Sequence, residues 1–80
     1  MTLYEFCMLD AYDQVEIGLD GVHVGERQSE LGVDVVCKQI DNFYVEFAKC
    51  ETGWKYMRSF KNPDLLEPYL DQINIDGLGI

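Results

Sequence analysis

The stretch from Val33 to Phe60 decides the fold. It reads VDVVCKQI, then Asp41 and Asn42, then FYVEFAKC, then ETG, then WKYMRSF. The apolar runs are rich in β-branched and aromatic residues and are separated by short polar turns, which is typical of antiparallel strands. The segments on either side of this stretch are then expected to cover a sheet.

Asp41 and Asn42 form the first turn of this stretch. Both residue types tolerate the positive φ that a two-residue type I′ turn requires. Such a turn fixes the register of the two strands that it joins. The predicted pairs are Ile40–Phe43, Lys38–Val45 and Val36–Phe47. One face of this hairpin is then apolar except for Lys38, and the other face carries Val35, Cys37, Gln39, Tyr44, Glu46 and Ala48.

The second turn, ETG at residues 51–53, fits a three-residue loop with Gly53 in the left-handed position. This loop is preferred to a two-residue turn because it brings opposite charges together and keeps the apolar face continuous. The predicted pairs are Cys50–Trp54, Glu46–Arg58 and Phe47–Met57. The inward face of the sheet is then predicted to be Phe43, Val45, Phe47 and Met57.

Helical signals precede the sheet. Thr2 and Glu5 match a capping box, and Asp10 offers a second N-cap, so the chain begins with two short helices or one bent helix. Gly21 is predicted to end this region as a left-handed C-cap residue. Residues 22–27 then alternate as a short strand, in which Gly25 weakens the strand or marks a bulge.

A helix is predicted after the sheet as well. Asp64 and Glu67 repeat the capping-box pattern, and Pro68 is tolerated only in a first turn, which places the helix start at about Leu65. Its apolar stripe is Leu65, Leu66, Tyr69, Leu70 and Ile73. Residues 75–80 are expected to fray or dock weakly. The predicted fold is one α+β domain over residues 1–80, with two short N-terminal helices, a four-stranded antiparallel meander sheet and one C-terminal helix.

The charge is distributed unevenly along the chain. The net charge is −9, yet residues 1–26 hold six acids and no base, and all six bases lie between residues 27 and 61. Such a surface repels phosphate backbones, so direct nucleic-acid binding is not expected. The first ten residues contain no base and no apolar run approaches about 20 residues, so we expect a cytoplasmic protein without a membrane span.

No pattern in the sequence predicts catalysis, a cofactor or a metal site. Cys7, Cys37 and Cys50 are an odd, widely spaced set, typical of small apolar residues in a reducing cytoplasm. His23 has no partner nearby except Glu26, which favours a partly exposed strand histidine. The helically spaced acids Asp10, Asp13 and Glu16 lack the glycine and ligand pattern of a calcium loop and are typical of a solvated face. The protein is therefore not expected to be an enzyme.

The second sheet face is unusually aromatic. In the predicted register it shows Tyr44, Trp54, Tyr56 and Phe60, beside Arg58 of the Glu46–Arg58 pair. Either helices from both ends of the chain cover both faces, or a bulge changes the register, or part of this face stays open. An open face predicts a small acidic interaction module that binds a protein partner or forms a homodimer, because Tyr, Trp and Arg are enriched at interface hot spots.

Two further hypotheses come from the acidic and titratable residues. An acidic mimic could occupy the groove of a nucleic-acid-binding protein, with carboxylates in place of phosphates. Its surface would consist of Glu5, Asp10, Asp13, Glu16, Asp64, Glu67 and Asp71. A small hydrolase or metal site would need a concave pocket that holds His23 with at least two carboxylates.

Four short motifs carry a family resemblance. They are LYEF at residues 3–6, FYVEF at 43–47, RSF at 58–60 and PYL at 68–70. With these motifs the chain resembles a group of short uncharacterised bacterial proteins, often found on mobile genetic elements, with an N-terminal LYEF, a strand like FYVEV and a terminal proline-containing helix. The resemblance implies a bacterial, cytoplasmic setting, and it carries over no catalytic residue.

Overall fold

The computed structural model describes residues 1–69 and places four strands in one antiparallel sheet, with two helices before it and a 3₁₀ helix after it. The elements are α1 (Leu3–Cys7), α2 (Ala11–Leu19), β1 (Val22–Gln28), β2 (Asp34–Ile40), β3 (Phe43–Cys50), β4 (Gly53–Phe60) and the 3₁₀ helix (Pro63–Tyr69). The strand order β1-β2-β3-β4 is a meander, so the predicted α+β fold is confirmed. No helix within residues 1–69 is long and apolar enough to cross a membrane.

The two N-terminal helices begin at the predicted caps. The Thr2 hydroxyl accepts a hydrogen bond from the Glu5 amide at 3.1 Å, and the Glu5 carboxylate accepts one from the Thr2 amide at 2.8 Å. Asp10 accepts a hydrogen bond from the amide of Asp13 at 2.8 Å and caps α2. Because each helix has its own N-cap, α1 and α2 are separate helices.

Two turn predictions are wrong in detail. Gly21 does not have positive φ, and the C-cap residue of α2 is Asp20, whose backbone is in the right-handed region. A side chain at residue 21 would come within 2.8 Å of the Gln39 carbonyl oxygen, so Gly21 allows a close approach of two backbone segments. In the first sheet turn only Asp41 has positive φ, at 51°, whereas a type I′ turn requires positive φ at Asn42 too.

The register between β2 and β3 follows the sequence prediction. The pairs Ile40–Phe43, Lys38–Val45 and Val36–Phe47 are all present. The pairing of β1 with β2 shifts between His23 and Gly25, so the predicted irregularity at Gly25 is a bulge. Phe43, Val45 and Phe47 are fully buried on the predicted inward face.

The pairing of β3 with β4 differs from the prediction near the second turn. Cys50 pairs with Gly53, so two residues rather than three lie between the paired positions, although Gly53 does have positive φ, at 128°. Phe47 therefore pairs with Tyr56, and its predicted pairing with Met57 is wrong. Met57 is an extra residue in a bulge and is 42% exposed, so it does not belong to the inward face. Beyond the bulge, Glu46 pairs with Arg58 as predicted.

Helices α1 and α2 cover one face of the sheet, called here the first face. Its buried core is Phe6, Val36, Phe43, Val45 and Phe47. Gly18 of α2 lies directly over Phe47, and a side chain at residue 18 would overlap the Phe47 ring. Glycine at this position therefore lets α2 approach the sheet closely.

The 3₁₀ helix covers the opposite, second face of the sheet. Leu66 and Tyr69 are buried there against Cys37 and Phe60, so elements from both ends of the chain cover the sheet. The predicted α-helical start at Leu65 is wrong, because the 3₁₀ helix already begins at Pro63. The cap acceptor is Asn62 rather than Asp64, since the Asn62 side-chain oxygen accepts from the Asp64 amide at 3.0 Å. The predictions for Leu70, Ile73 and residues 75–80 lie outside the described residues.

Candidate functional site

The structure does not bring the five predicted surface residues together on one face. Trp54 and Tyr56 pack against the first-face core, whereas Tyr44 and Phe60 pack in the second-face cluster. The bulge at Met57 is the cause, because one inserted residue reverses the face on which the neighbouring side chains lie. Arg58 stays on the second face with Phe60, and its guanidinium carbon lies 5.1 Å from the centre of that ring.

Trp54 and Tyr56 line a groove between α2 and β4, called here the α2–β4 groove. Its volume is about 420 Å³. It is lined by Ala11, Tyr12, Gln14 and Val15 of α2 and by Cys50, Thr52, Trp54, Lys55 and Tyr56 of the sheet and its second turn. Trp54 and Tyr56 are half-buried, so their remaining surface is available to a bound molecule.

The sheet wall of the groove is held in place by neighbouring side chains. The Tyr56 ring lies 5.8 Å from Phe6 and 6.1 Å from Phe47, centre to centre. The Tyr56 hydroxyl shares a 2.8 Å hydrogen bond with the Ser59 hydroxyl. The Lys49 ammonium lies 5.0 Å from the centre of the Trp54 ring, which is cation–π geometry. These contacts restrict the conformations that both rings can adopt.

Tyr12 contributes the most exposed aromatic ring of the α2–β4 groove. It is 75% exposed and lies on the first turn of α2. The sequence did not mark Tyr12 as an interface residue, so its place in the groove was missed. No sequence signal placed it there, because its position depends on how α2 packs against β4.

On the second face, Arg58 is part of a buried network around Glu46. The Glu46 side chain is fully buried. Arg58 donates a hydrogen bond from Nε to Oε1 of Glu46, and the Tyr69 hydroxyl donates to Oε2. The Arg27 Nη2 lies 3.3 Å from the same Oε2, and its Nε donates to the Tyr69 hydroxyl at 3.1 Å. The predicted Glu46–Arg58 pair is thus confirmed, but Arg27 and Tyr69 complete a network that the sequence did not indicate.

The network changes the protonation chemistry of its members. Burial by itself would raise the pKa of Glu46, but the hydrogen bonds from Tyr69 and Arg58 and the charges of both arginines hold that pKa below its usual range. Burial, and then its hydrogen bond to Glu46, raises the pKa of Tyr69. Burial beside the Glu46 charge raises the pKa of the Cys37 thiol to about 12. Glu46 is therefore a stable anion, and the neighbouring hydroxyl and thiol stay protonated at neutral pH.

The titratable residues singled out from the sequence do not converge. Within residues 1–69, no three side chains of His, Cys, Asp or Glu are arranged to hold a metal ion. His23 Nε2 lies 4.0 Å from Glu26 Oε2, and both side chains are at least half exposed. Asp10 is engaged as the cap of α2. Of the groove and the Glu46 network, the groove is the one with apolar surface open to a ligand.

Comparisons of the whole chain with protein-family models, with curated proteins and with solved structures give no match.

Proposed function

We propose that this protein is a small acidic interaction module that binds another protein, or a second copy of itself, through the α2–β4 groove. The observation that carries the proposal is the exposed ring of Tyr12 beside the half-buried rings of Trp54 and Tyr56. Tyr and Trp side chains are the usual anchors of protein interfaces, since they bury a large area at a low cost in side-chain entropy. A groove with such rings, and with no His, Asp or Glu among its lining side chains within residues 1–69, is suited to binding rather than to catalysis.

The proposed setting is the cytoplasm of a bacterium. Cys7, Cys37 and Cys50 are all free thiols, which suits a reducing compartment. The resemblance of the LYEF and FYVEF motifs to short bacterial proteins supports the same setting.

A photo-crosslinking experiment tests the groove. Tyr12 is replaced in the native cell by benzoylphenylalanine, which forms covalent bonds to neighbouring chains on irradiation. We expect a defined adduct, because a partner in the groove must contact residue 12. Tyr4 is the matched control position, since it is 74% exposed but lies on α1 outside the groove. Equal labelling from both positions, or no adduct from either, would refute the groove as the binding surface.

The mass of the adduct and the state of the pure protein identify the class of partner. An adduct of twice the chain mass, with self-association in sedimentation velocity that Tyr12→Ala abolishes, assigns a second copy. An adduct of another mass, with a single monomeric species at every concentration, assigns a different protein. Tyr4→Ala is expected to leave both measurements unchanged.

The acidic-mimic hypothesis has weaker structural support. Glu5 and Asp10 are engaged in helix capping on the first-face side of the sheet. Asp64 and Glu67 lie in the 3₁₀ helix that covers the second face. Because these carboxylates lie on opposite sides of the sheet, they do not form the single row that would imitate a phosphate backbone. Asp71 lies outside the described residues.

A further inference from the structure

The open edge of β4 adjoins the α2–β4 groove. In the strand order β1-β2-β3-β4, β4 pairs only with β3 within residues 1–69. The pair that flanks a two-residue turn is a hydrogen-bonded pair, here Cys50 with Gly53, and bonded and non-bonded pairs alternate from there. This alternation directs the backbone N–H and C=O groups of Trp54 and Tyr56 away from β3. The residues whose rings line the groove therefore also offer main-chain hydrogen bonds to an added strand.

The surface around this edge is basic in an otherwise acidic chain. Residues 49–61 hold four of the six bases and only one of the fifteen acids. Lys49, Lys55 and Lys61 are exposed, and none of the three forms an ion pair within residues 1–69. These three lysines would complement carboxylates on a strand that pairs with β4.

We infer that the β4 edge binds an extended acidic segment of another protein by strand addition, with alternate apolar side chains of that segment in the α2–β4 groove. This inference rests on the proposed function and specifies the chemistry of its partner. Strand addition takes affinity from main-chain hydrogen bonds and specificity from pockets for alternate side chains, and both are present here.

A second copy fits this edge less well than an acidic segment does. Two-fold pairing of β4 with β4 would bring Lys55 and Arg58 of both copies into one short stretch, where like charges repel. Lysines on an edge strand are a common means of preventing such pairing. The bulge at Met57 limits the straight part of the edge to Gly53–Tyr56, so the added strand pairs over a short length.

The test uses the full chain and a blocked synthetic peptide of alternating glutamate and valine. Trp54 is the only tryptophan, so its fluorescence reports directly on the groove. We expect saturable binding, protection of the Trp54 and Tyr56 amides from hydrogen exchange, and weaker binding as salt rises. The double variant Lys55→Glu, Lys61→Glu should bind about tenfold more weakly, while Lys38→Glu, on β2, should bind as the native chain does.

Two methylated peptides separate strand addition from simple charge attraction. One carries N-methyl groups on the valine amides and the other on the glutamate amides. Only one set of amides faces β4 in an added strand, so one analogue should lose binding and the other should keep it. Equal affinity of the two analogues would overturn the inference.

The outcomes also distinguish this inference from the proposed function. If the acidic peptide does not change Trp54 fluorescence while the residue-12 crosslink persists in cells, the acidic-strand inference fails and the groove proposal stands. If the crosslink is absent and the acidic peptide still protects the Trp54 and Tyr56 amides, the edge binds acidic strands and the groove proposal fails.

Discussion

Glu46 is a charged residue at the centre of the fold. A buried carboxylate is costly unless its oxygens are paired, and here both oxygens have partners from β1, β4 and the 3₁₀ helix. The network therefore links β1, β4 and the 3₁₀ helix, of which β4 and the 3₁₀ helix also meet in the apolar cluster of Phe60, Leu66 and Tyr69. Its main effect is to fix the position of Tyr69 on the second face.

Replacing Glu46 by Gln tests this role. Glu46→Gln preserves the side-chain volume but leaves Arg27 and Arg58 without their counter-charge. We expect the free energy of unfolding to fall by about 3 kcal/mol, at the lower end for a broken buried pair because both arginines keep some contact with water. Urea denaturation at neutral pH measures the change. Glu51→Gln, in the exposed second turn, is the control, and a similarly small effect of both substitutions would contradict the prediction.

The native protein and the Glu46→Gln variant should also differ in how their stability depends on pH. The pKa of Glu46 is lowered in the folded state, so its contribution to stability is fully present above the unfolded pKa of about 4.3 and is lost as the pH falls through the folded value. Below about pH 4.3 the native chain should therefore lose stability with a steeper slope than Glu46→Gln. Parallel slopes would show that the network does not stabilise the anion.

At the scale of elements, the position of α2 depends on Gly18. Alanine in a helix interior usually stabilises by about 0.5–1 kcal/mol relative to glycine. Here the added methyl group would overlap the buried ring of Phe47 and push α2 off the sheet. We expect Gly18→Ala to lower the free energy of unfolding by about 1–3 kcal/mol, since overpacking outweighs the gain in helix propensity. Thermal and urea unfolding measure this effect.

Glu16→Ala is the control for the substitution at Gly18. It changes an exposed residue of the same helix and should shift stability by no more than about 0.5 kcal/mol. A neutral or stabilising Gly18→Ala would mean that α2 is free to move away from Phe47.

The elements were predictable to different degrees. The caps at Thr2 and Asp10 and the register at Ile40–Phe43 follow from short-range chemistry, so the sequence predicted them correctly. The bulge at Met57 has no local signal such as glycine. The bulge allows two contacts on opposite faces of the sheet at once: Tyr56 packs against Phe6, and Arg58 is bonded to Glu46. The bulge therefore depends on contacts between residues far apart in the sequence, which local sequence patterns do not reveal.

The candidate site was only partly predictable for the same reason. Trp54 and Tyr56 were identified as interface residues by type, but the bulge moves them to the face opposite Tyr44 and Phe60. Tyr12 joins them only because α2 crosses the sheet above β4, a packing arrangement that helical periodicity does not specify. Residue types thus indicated candidate interface residues, and the fold determines where those residues lie.

At the scale of the whole molecule, acidic and basic residues lie in different regions, and the apolar groove lies between them. Helices α1 and α2 carry acids and no bases, whereas residues 49–61, which include β4, hold four bases and one acid. Since the groove lies between these two regions, a partner in it meets carboxylates on one side and lysines on the other. This polarity would orient an approaching chain before contact.

Because Cys37 lies beneath the 3₁₀ helix, the rate at which its thiol is labelled reports how often the second face opens. Its sulfur is inaccessible and its pKa is raised to about 12, so a thiol reagent reacts with it only after Leu66 and Tyr69 have moved away. We expect Cys7, which is exposed, to be labelled at once and Cys37 slowly, by mass spectrometry of timed samples. Tyr69→Phe, which removes the bond to Glu46, should accelerate only the labelling of Cys37. The lifetime of the closed second face can thus be measured with a native cysteine, without introducing a new residue as a probe.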